Sequence, residues 1–170
     1  MNRYEGSRFV VSLVLVGSYF LLPKYGFTSS LSPLSSHLLY PLSHANIWHL
    51  LANVLCLCLL RCPLHIFATY TIAVLCSFLP CPLFMDMLLS NTPLGESEGV
   101  TYGFSGVLFA IVGVAWGKVG RFREMLTKNF WFLFIPAFIP HINFLIHLYC
   151  LLAGYALGHL VLPRFSYKNS

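Results

Sequence analysis

Long stretches of this chain carry almost no charge, and its Lys and Arg residues gather at the ends of those stretches. Apolar runs at about 9–23, 46–60, 65–88, 103–117, 126–140 and 143–162 are each long enough, or nearly so, for a helix crossing a bilayer. Composition agrees: of 170 residues, 58% are hydrophobic and 9% charged, which excludes an ordinary soluble domain. The expectation is an all-α, polytopic membrane protein with six transmembrane helices in one domain over residues 1–170. The fifth run has the shortest apolar core. A turn near Pro140 and His141 is needed to make two spans of residues 126–163.

The net charge of +5 raises nucleic acid as a partner, but the basic residues form no stripe. They mark orientation instead. With the N-terminus cytoplasmic, the inner segments hold Arg3, Arg8, Arg61, Lys118, Arg121, Arg123, Lys128, Arg164 and Lys168, and only Lys24 lies outside. Both termini are then cytoplasmic, and an integral, multi-pass protein of a bacterial cytoplasmic membrane is expected. Residues 24–45 read as an outer loop lying partly in the interface. Arg3 and Arg8 before an apolar run imitate a secretory signal, but no small-residue cleavage site follows, so the run reads as an anchor. The six cysteines fit neither a zinc spacing nor a disulfide framework and read as small hydrophobes.

In this orientation the second, fourth and sixth spans run inward, and each opens with polar residues: His44, His49 and Asn53; Gly103, Ser105 and Gly106; His147 and Cys150. Counting back to the charge that ends each run gives roughly 18 Å from Arg61 to His49, roughly 20 Å from Lys118 to Ser105 and roughly 25 Å from Arg164 to His147. Three separate stretches therefore reach similar depths in a hydrocarbon core of about 30 Å. Gly-x-Ser-Gly in a membrane helix is by itself more often small-residue packing. Here Gly106, Ala110, Gly113 and Gly117 form a small-residue stripe on one run, and Cys150, Gly154 and Gly158 form another below His147. Packing the two stripes brings Ser105 toward His147, the geometry a serine nucleophile needs from its general base.

His49 and Asn53, four residues apart, share a helix face and can direct two donors at one developing negative charge. A polar clasp between helices is the plainer reading of that pair. His44 is placed to pin the outer loop, His37 and His65 read as interfacial, His159 as packing, and His141 as a second candidate base ranked below His147. Glu5 and Glu124 read as cytoplasmic and Asp86, Glu96 and Glu98 as external, so no carboxylate is buried to complete a triad and the chemistry is that of a Ser-His dyad. One Asp in the whole chain rules out an aspartyl dyad, and no His-Glu-x-x-His is present for a zinc protease.

His44-x4-His49-x3-Asn53, Gly103-x-Ser105-Gly106 and His147-x6-Gly154-x3-Gly158, in that order and on matching sides, resemble the rhomboid intramembrane serine proteases. The resemblance covers the six-span core and is similar to a minimal member such as the small bacterial branch that includes rhombosortases. It implies that Ser105 attacks the scissile carbonyl, that His147 accepts and returns the proton, and that His49, Asn53 and the Ser105 N-H hold the oxyanion. His44, Gly103, Gly106, Gly154 and Gly158 are supporting positions. It also implies transmembrane protein substrates entering sideways from the lipid bilayer into a cavity open to the outside, with no cofactor and no metal. Phe109 stands where a tyrosine often packs under the histidine, Phe104 replaces a common alanine, and Cys150 replaces a frequent glycine. Two other readings remain: an inactive rhomboid-like protein that binds client helices, and a metal or haem site built from His44, His49, His141 and His147.

Overall fold

The computed structural model describes residues 3–60, 62–80, 100–137 and 143–161. Arg61, the segment 81–99 with Asp86, Glu96 and Glu98, the segment 138–142 with Pro140 and His141, and the C-terminal residues with Arg164 and Lys168 lie outside them. The described residues form seven α-helices and one 3-10 turn: α1 (Arg3–Leu21), α2 (Leu34–Leu39), the 3-10 turn (Tyr40–Leu42), α3 (Ile47–Leu59), α4 (Ile66–Cys76), α5 (Ser105–Val119), α6 (Phe122–Ala137) and α7 (Phe144–Leu160). The fold is all-α. Its one extended pairing among the described residues is an antiparallel bridge between Phe27 and Thr101.

Six of these helices lie on the six apolar runs, but they are shorter than six spans require. α5 has 15 residues, roughly 22 Å of helix against a hydrocarbon core of about 30 Å. Among the described residues no single helix is long and apolar enough to cross a membrane. The segments Leu34–Leu42 and Ile47–Leu59 pass that test together, as a pair bent by 69°. The third run departs most from expectation: α4 stops at Cys76, where the Ser77 hydroxyl donates to the Val74 carbonyl and the chain turns toward Pro80. Residues 81–88 of the expected 65–88 span lie outside the described residues.

The ends of the helices follow from local chemistry. Asn46 caps α3 by accepting from the His49 N-H at 2.9 Å, and Asn143 caps α7 by accepting from the Ile146 N-H at 3.2 Å. Gly120, at φ 74°, closes α5 in the left-handed conformation that favours glycine. The expected outer loop is more structured than its Ser-Pro-Leu composition suggests. It holds α2 and the 3-10 turn, and Lys24 ties it down by donating to the Ala45 carbonyl at 2.7 Å.

α5 and α7 form the centre, because small residues on both let the backbones touch. A methyl group on Gly154 would run into the Ala110 carbonyl, one on Gly158 into that of Val114, and one on Gly113 into that of Leu151. α4 packs across this pair, α6 against α7, and α1 against α3. Leu15, Phe27, Tyr40, Leu50, Phe104 and Ile111 fill the interior. The outside is apolar as well: Phe9, Leu13 and Phe20 of α1, Trp48, Leu55 and Leu59 of α3, and Phe67 of α4 are all exposed. So many exposed large apolar side chains call for a partner or a lipid environment.

Candidate active site

Gly103 begins the construction of the site. Its φ of 110° is one that L side chains rarely adopt, and a Cβ there would lie 2.6 Å from the His49 ring. The resulting bend, fixed by the Gly103 N-H donating to the Tyr40 carbonyl at 3.0 Å, delivers Ser105 as the first residue of α5. The Ser105 N-H therefore belongs to the unpaired first turn of a helix.

From α7, His147 faces this point. Its Nε2 is 2.8 Å from Ser105 Oγ, within the range in which a hydroxyl donates to a neutral imidazole. Phe109, one turn along α5, stacks on the imidazole with ring centroids 4.6 Å apart and planes at 24°. His147 Nδ1 is buried and has no hydrogen-bond partner among the described residues, so ring packing sets its orientation where a carboxylate would in a triad. Cys150, one turn below, sits opposite Gly106, where an added methyl would meet its Sγ at 3.4 Å. The sulfur is accommodated because Gly106 leaves room for it.

His49, Asn53, Ser105, Gly106 and His147 line one cavity of about 180 Å³, together with Tyr40, Thr101, Tyr102, Asn143 and Ile146. Asn53 is buried and donates one amide hydrogen to the His49 carbonyl at 3.1 Å, which leaves its second amide hydrogen for another acceptor. His44 is buried and packs edge-on against His49, with centroids 5.3 Å apart. Gly154 and Gly158 lie at the α5–α7 contact, away from the cavity. His141 lies outside the described residues, and among those described no three His, Cys, Asp or Glu side chains gather in a group that could hold a metal ion.

Five cavity-lining residues, Tyr40, Thr101, Tyr102, Asn143 and Ile146, were not among the site candidates read from the sequence. The Asn143 side chain both caps α7 and donates to Thr101 Oγ1 at 3.0 Å, joining the start of α7 to the strand-like segment before Gly103. Its position just ahead of an apolar run was a readable cap signal. Tyr40 donates to the Ala73 carbonyl at 2.9 Å and had no such signal. His37, read from the sequence as interfacial, is fully buried within the protein, stacked against Phe27 and Phe78, with Nδ1 2.8 Å from Ser77 Oγ. His65 forms the left-handed start of α4 at φ 42°, half-buried, with Nε2 2.9 Å from Lys118 Nζ. His159 stacks on Tyr155, with centroids 5.6 Å apart.

A family model described as the Rhomboid domain matches residues 32–164. The chain is also similar to a provisionally named rhomboid protein of Acanthamoeba polyphaga mimivirus, at 27% identity over 95% of this chain and 94% of that one. This relative is viral, so it lends no support to a bacterial membrane or to a particular side for the termini. No solved structure matches the chain at a significant level.

Proposed function

The chain belongs to the rhomboid family, and from that premise we propose that it is an intramembrane serine protease that cleaves peptide bonds in or beside the transmembrane helices of other proteins. The observation that carries this reading is the 2.8 Å approach of Ser105 Oγ to His147 Nε2 in a cavity shared with His49 and Asn53. Ser105 Oγ attacks the scissile carbonyl carbon while its proton passes to His147 Nε2. The carbonyl oxygen takes the negative charge, facing the Ser105 N-H, the Asn53 amide and the His49 ring. His147 then gives the proton to the leaving nitrogen, the C–N bond breaks, and water hydrolyses the acyl-serine with His147 as base.

The apolar exterior supports a bilayer setting. The Lys and Arg distribution supports a cytoplasmic placement of both termini, of the α3–α4 connection and of the α5–α6 connection. In detergent, a fluorophosphonate probe is expected to label the wild-type protein, but neither Ser105→Ala nor His147→Ala. Equal labelling of either variant and wild type refutes the dyad. Client helices retained without cleavage, in wild type and Ser105→Ala alike, identify a binding protein instead.

A further inference from the structure

Two side-chain hydrogen bonds join α7 to the stretch of chain that delivers Ser105. One is the 2.8 Å approach of His147 Nε2 to Ser105 Oγ. The other runs from Asn143 Nδ2 to Thr101 Oγ1 at 3.0 Å. Asn143 stands four residues before His147, and Thr101 four before Ser105, so along α7 the two bonds are spaced by about 6 Å. A single hydrogen bond fixes a distance but lets its two carriers twist about it. A second bond alongside removes that freedom.

Both ends of the second bond are braced. Thr101 exchanges backbone hydrogen bonds with Phe27 at 2.8 and 3.3 Å, and two residues on, the Gly103 N-H donates to the Tyr40 carbonyl at 3.0 Å. Asn143 Oδ1 accepts from the Ile146 N-H at 3.2 Å, which ties the same amide to the first turn of α7. Asn143 and Thr101 are buried and line the cavity of the dyad, where a polar pair is held more firmly than at a wet surface. The backbone contacts of Gly154 with Ala110 and of Gly158 with Val114 lie past His147, on the other side of it along α7. His147 therefore sits between two fastenings, one polar and one of close packing.

We infer that Asn143 is a positioning residue for the dyad: through Thr101 it holds Ser105 Oγ in line with His147 Nε2, itself taking no proton and stabilising no charge. This role rests on the proteolytic reading of the same site, although the hold on His147 exists whether or not a peptide is cut. Asn143→Ser separates the two jobs of the side chain, because serine caps a helix about as well as asparagine but is too short to reach Thr101. Thr101→Val removes the hydroxyl from the other end, and Thr101→Ser restores it.

The test uses the full chain in detergent with nitrogen-15 histidine, the His147 ring signal being the one missing from His147→Ala. Its Nε2 shift is expected to move in Asn143→Ser and in Thr101→Val toward its value in Ser105→Ala, and to stay in place in Thr101→Ser. Fluorophosphonate inactivation per folded molecule is expected to lose about ten- to a hundredfold in its maximal rate in the two displaced variants, with the half-saturating probe concentration unchanged. Combining Asn143→Ser with Thr101→Val costs no more than either alone, because both remove one bond. If wild type labels while the Nε2 shift and the maximal rate stay at wild type in both variants, the positioning role is overturned and proteolysis stands. If wild type does not label but the shift moves in the variants, proteolysis is refuted and the positioning role stands. A raised half-saturating concentration at an unchanged maximal rate also overturns it, showing a pair that only touches the bound molecule.

Discussion

Replacing Gly113 by Ala tests whether the α5–α7 contact governs the distance between Ser105 and His147. The new methyl would lie 2.8 Å from the Tyr155 nitrogen and 3.1 Å from the Gly154 carbonyl carbon, and closer still to the Leu151 oxygen. All are backbone atoms and cannot swing aside, so reaching ordinary contact near 3.4 Å requires the helices to part by at least ~0.6 Å. Ser105 is eight residues up the same helix, roughly 12 Å away, and moves with it. An Oγ–Nε2 distance of 2.8 Å then leaves the productive range. A misplacement of ~1 Å costs about a hundredfold in rate, so a loss of roughly ten- to a hundredfold is expected in fluorophosphonate labelling of folded protein. Overpacking also lowers stability by about 1–3 kcal/mol, to be read from thermal unfolding in detergent. Gly17→Ala is the control, since nothing lies within 4 Å of its added methyl. Labelling by Gly113→Ala at the wild-type rate would refute the coupling, and an unchanged unfolding temperature would refute the close packing as well.

Phe109→Ala removes the ring stacked on His147 at 4.6 Å, and labelling is expected to fall roughly two- to tenfold, from about 0.5–1.5 kcal/mol of ring contact. Phe109→Tyr retains the stack and the rate; undiminished labelling of the Ala variant contradicts an orienting role. Ser77→Ala strips buried His37 of the hydroxyl at its Nδ1 and is expected to cost about 1–3 kcal/mol in thermal unfolding, with labelling per folded molecule unchanged. A neutral effect on unfolding would show that the pair contributes nothing. At the start of α6, Lys128 and then Arg121 hold the Glu124 carboxylate below its ordinary value of 4.5. A folded-state pKa below the unfolded one makes this contribution full above about pH 4.5 and loses it as pH falls through the lower folded value. Protection factors for hydrogen exchange over residues 122–128, corrected for the intrinsic rate at each pH, should therefore fall at acid pH in wild type and less so in Glu124→Gln; identical profiles would show that the exposed pairs are inert.

Features carried by a single stretch were legible in the sequence. The small residues of α5 and α7 announce a backbone-to-backbone contact because their spacing repeats along one helix face, and the apolar runs locate six of the seven described helices. Features that depend on distant partners were not legible. His37 sits among serines and leucines and looks superficial, yet its partner is Ser77, and Phe27 and Phe78 close over it from two other segments. Residues 34–42 form a short, serine-containing stretch flanked by Pro33 and interrupted by Pro41, and the bridge that sets their neighbourhood joins Phe27 to Thr101 across much of the chain. The third run stays apolar past Cys76, so hydropathy alone extends a helix that the Ser77 turn ends. Asn143 shows both cases: its capping role is local and readable, whereas its bond to Thr101 is tertiary and hidden.

The brevity of α5 bears on where such a protein can reside comfortably. A helix of 15 residues falls about 8 Å short of an average hydrocarbon layer, and each ångström of mismatch costs a fraction of a kcal/mol. In the bilayer setting proposed above, lipid meets the exposed faces of α3 and α4, helices of 13 and 11 residues that are shorter still, and must compress or tilt to match them; that deformation is least in short-chain surroundings. Reconstituted into coexisting thick and thin domains, the chain should collect in the thin ones, where a neighbouring helix of ordinary length would have its ends lifted out of the oil.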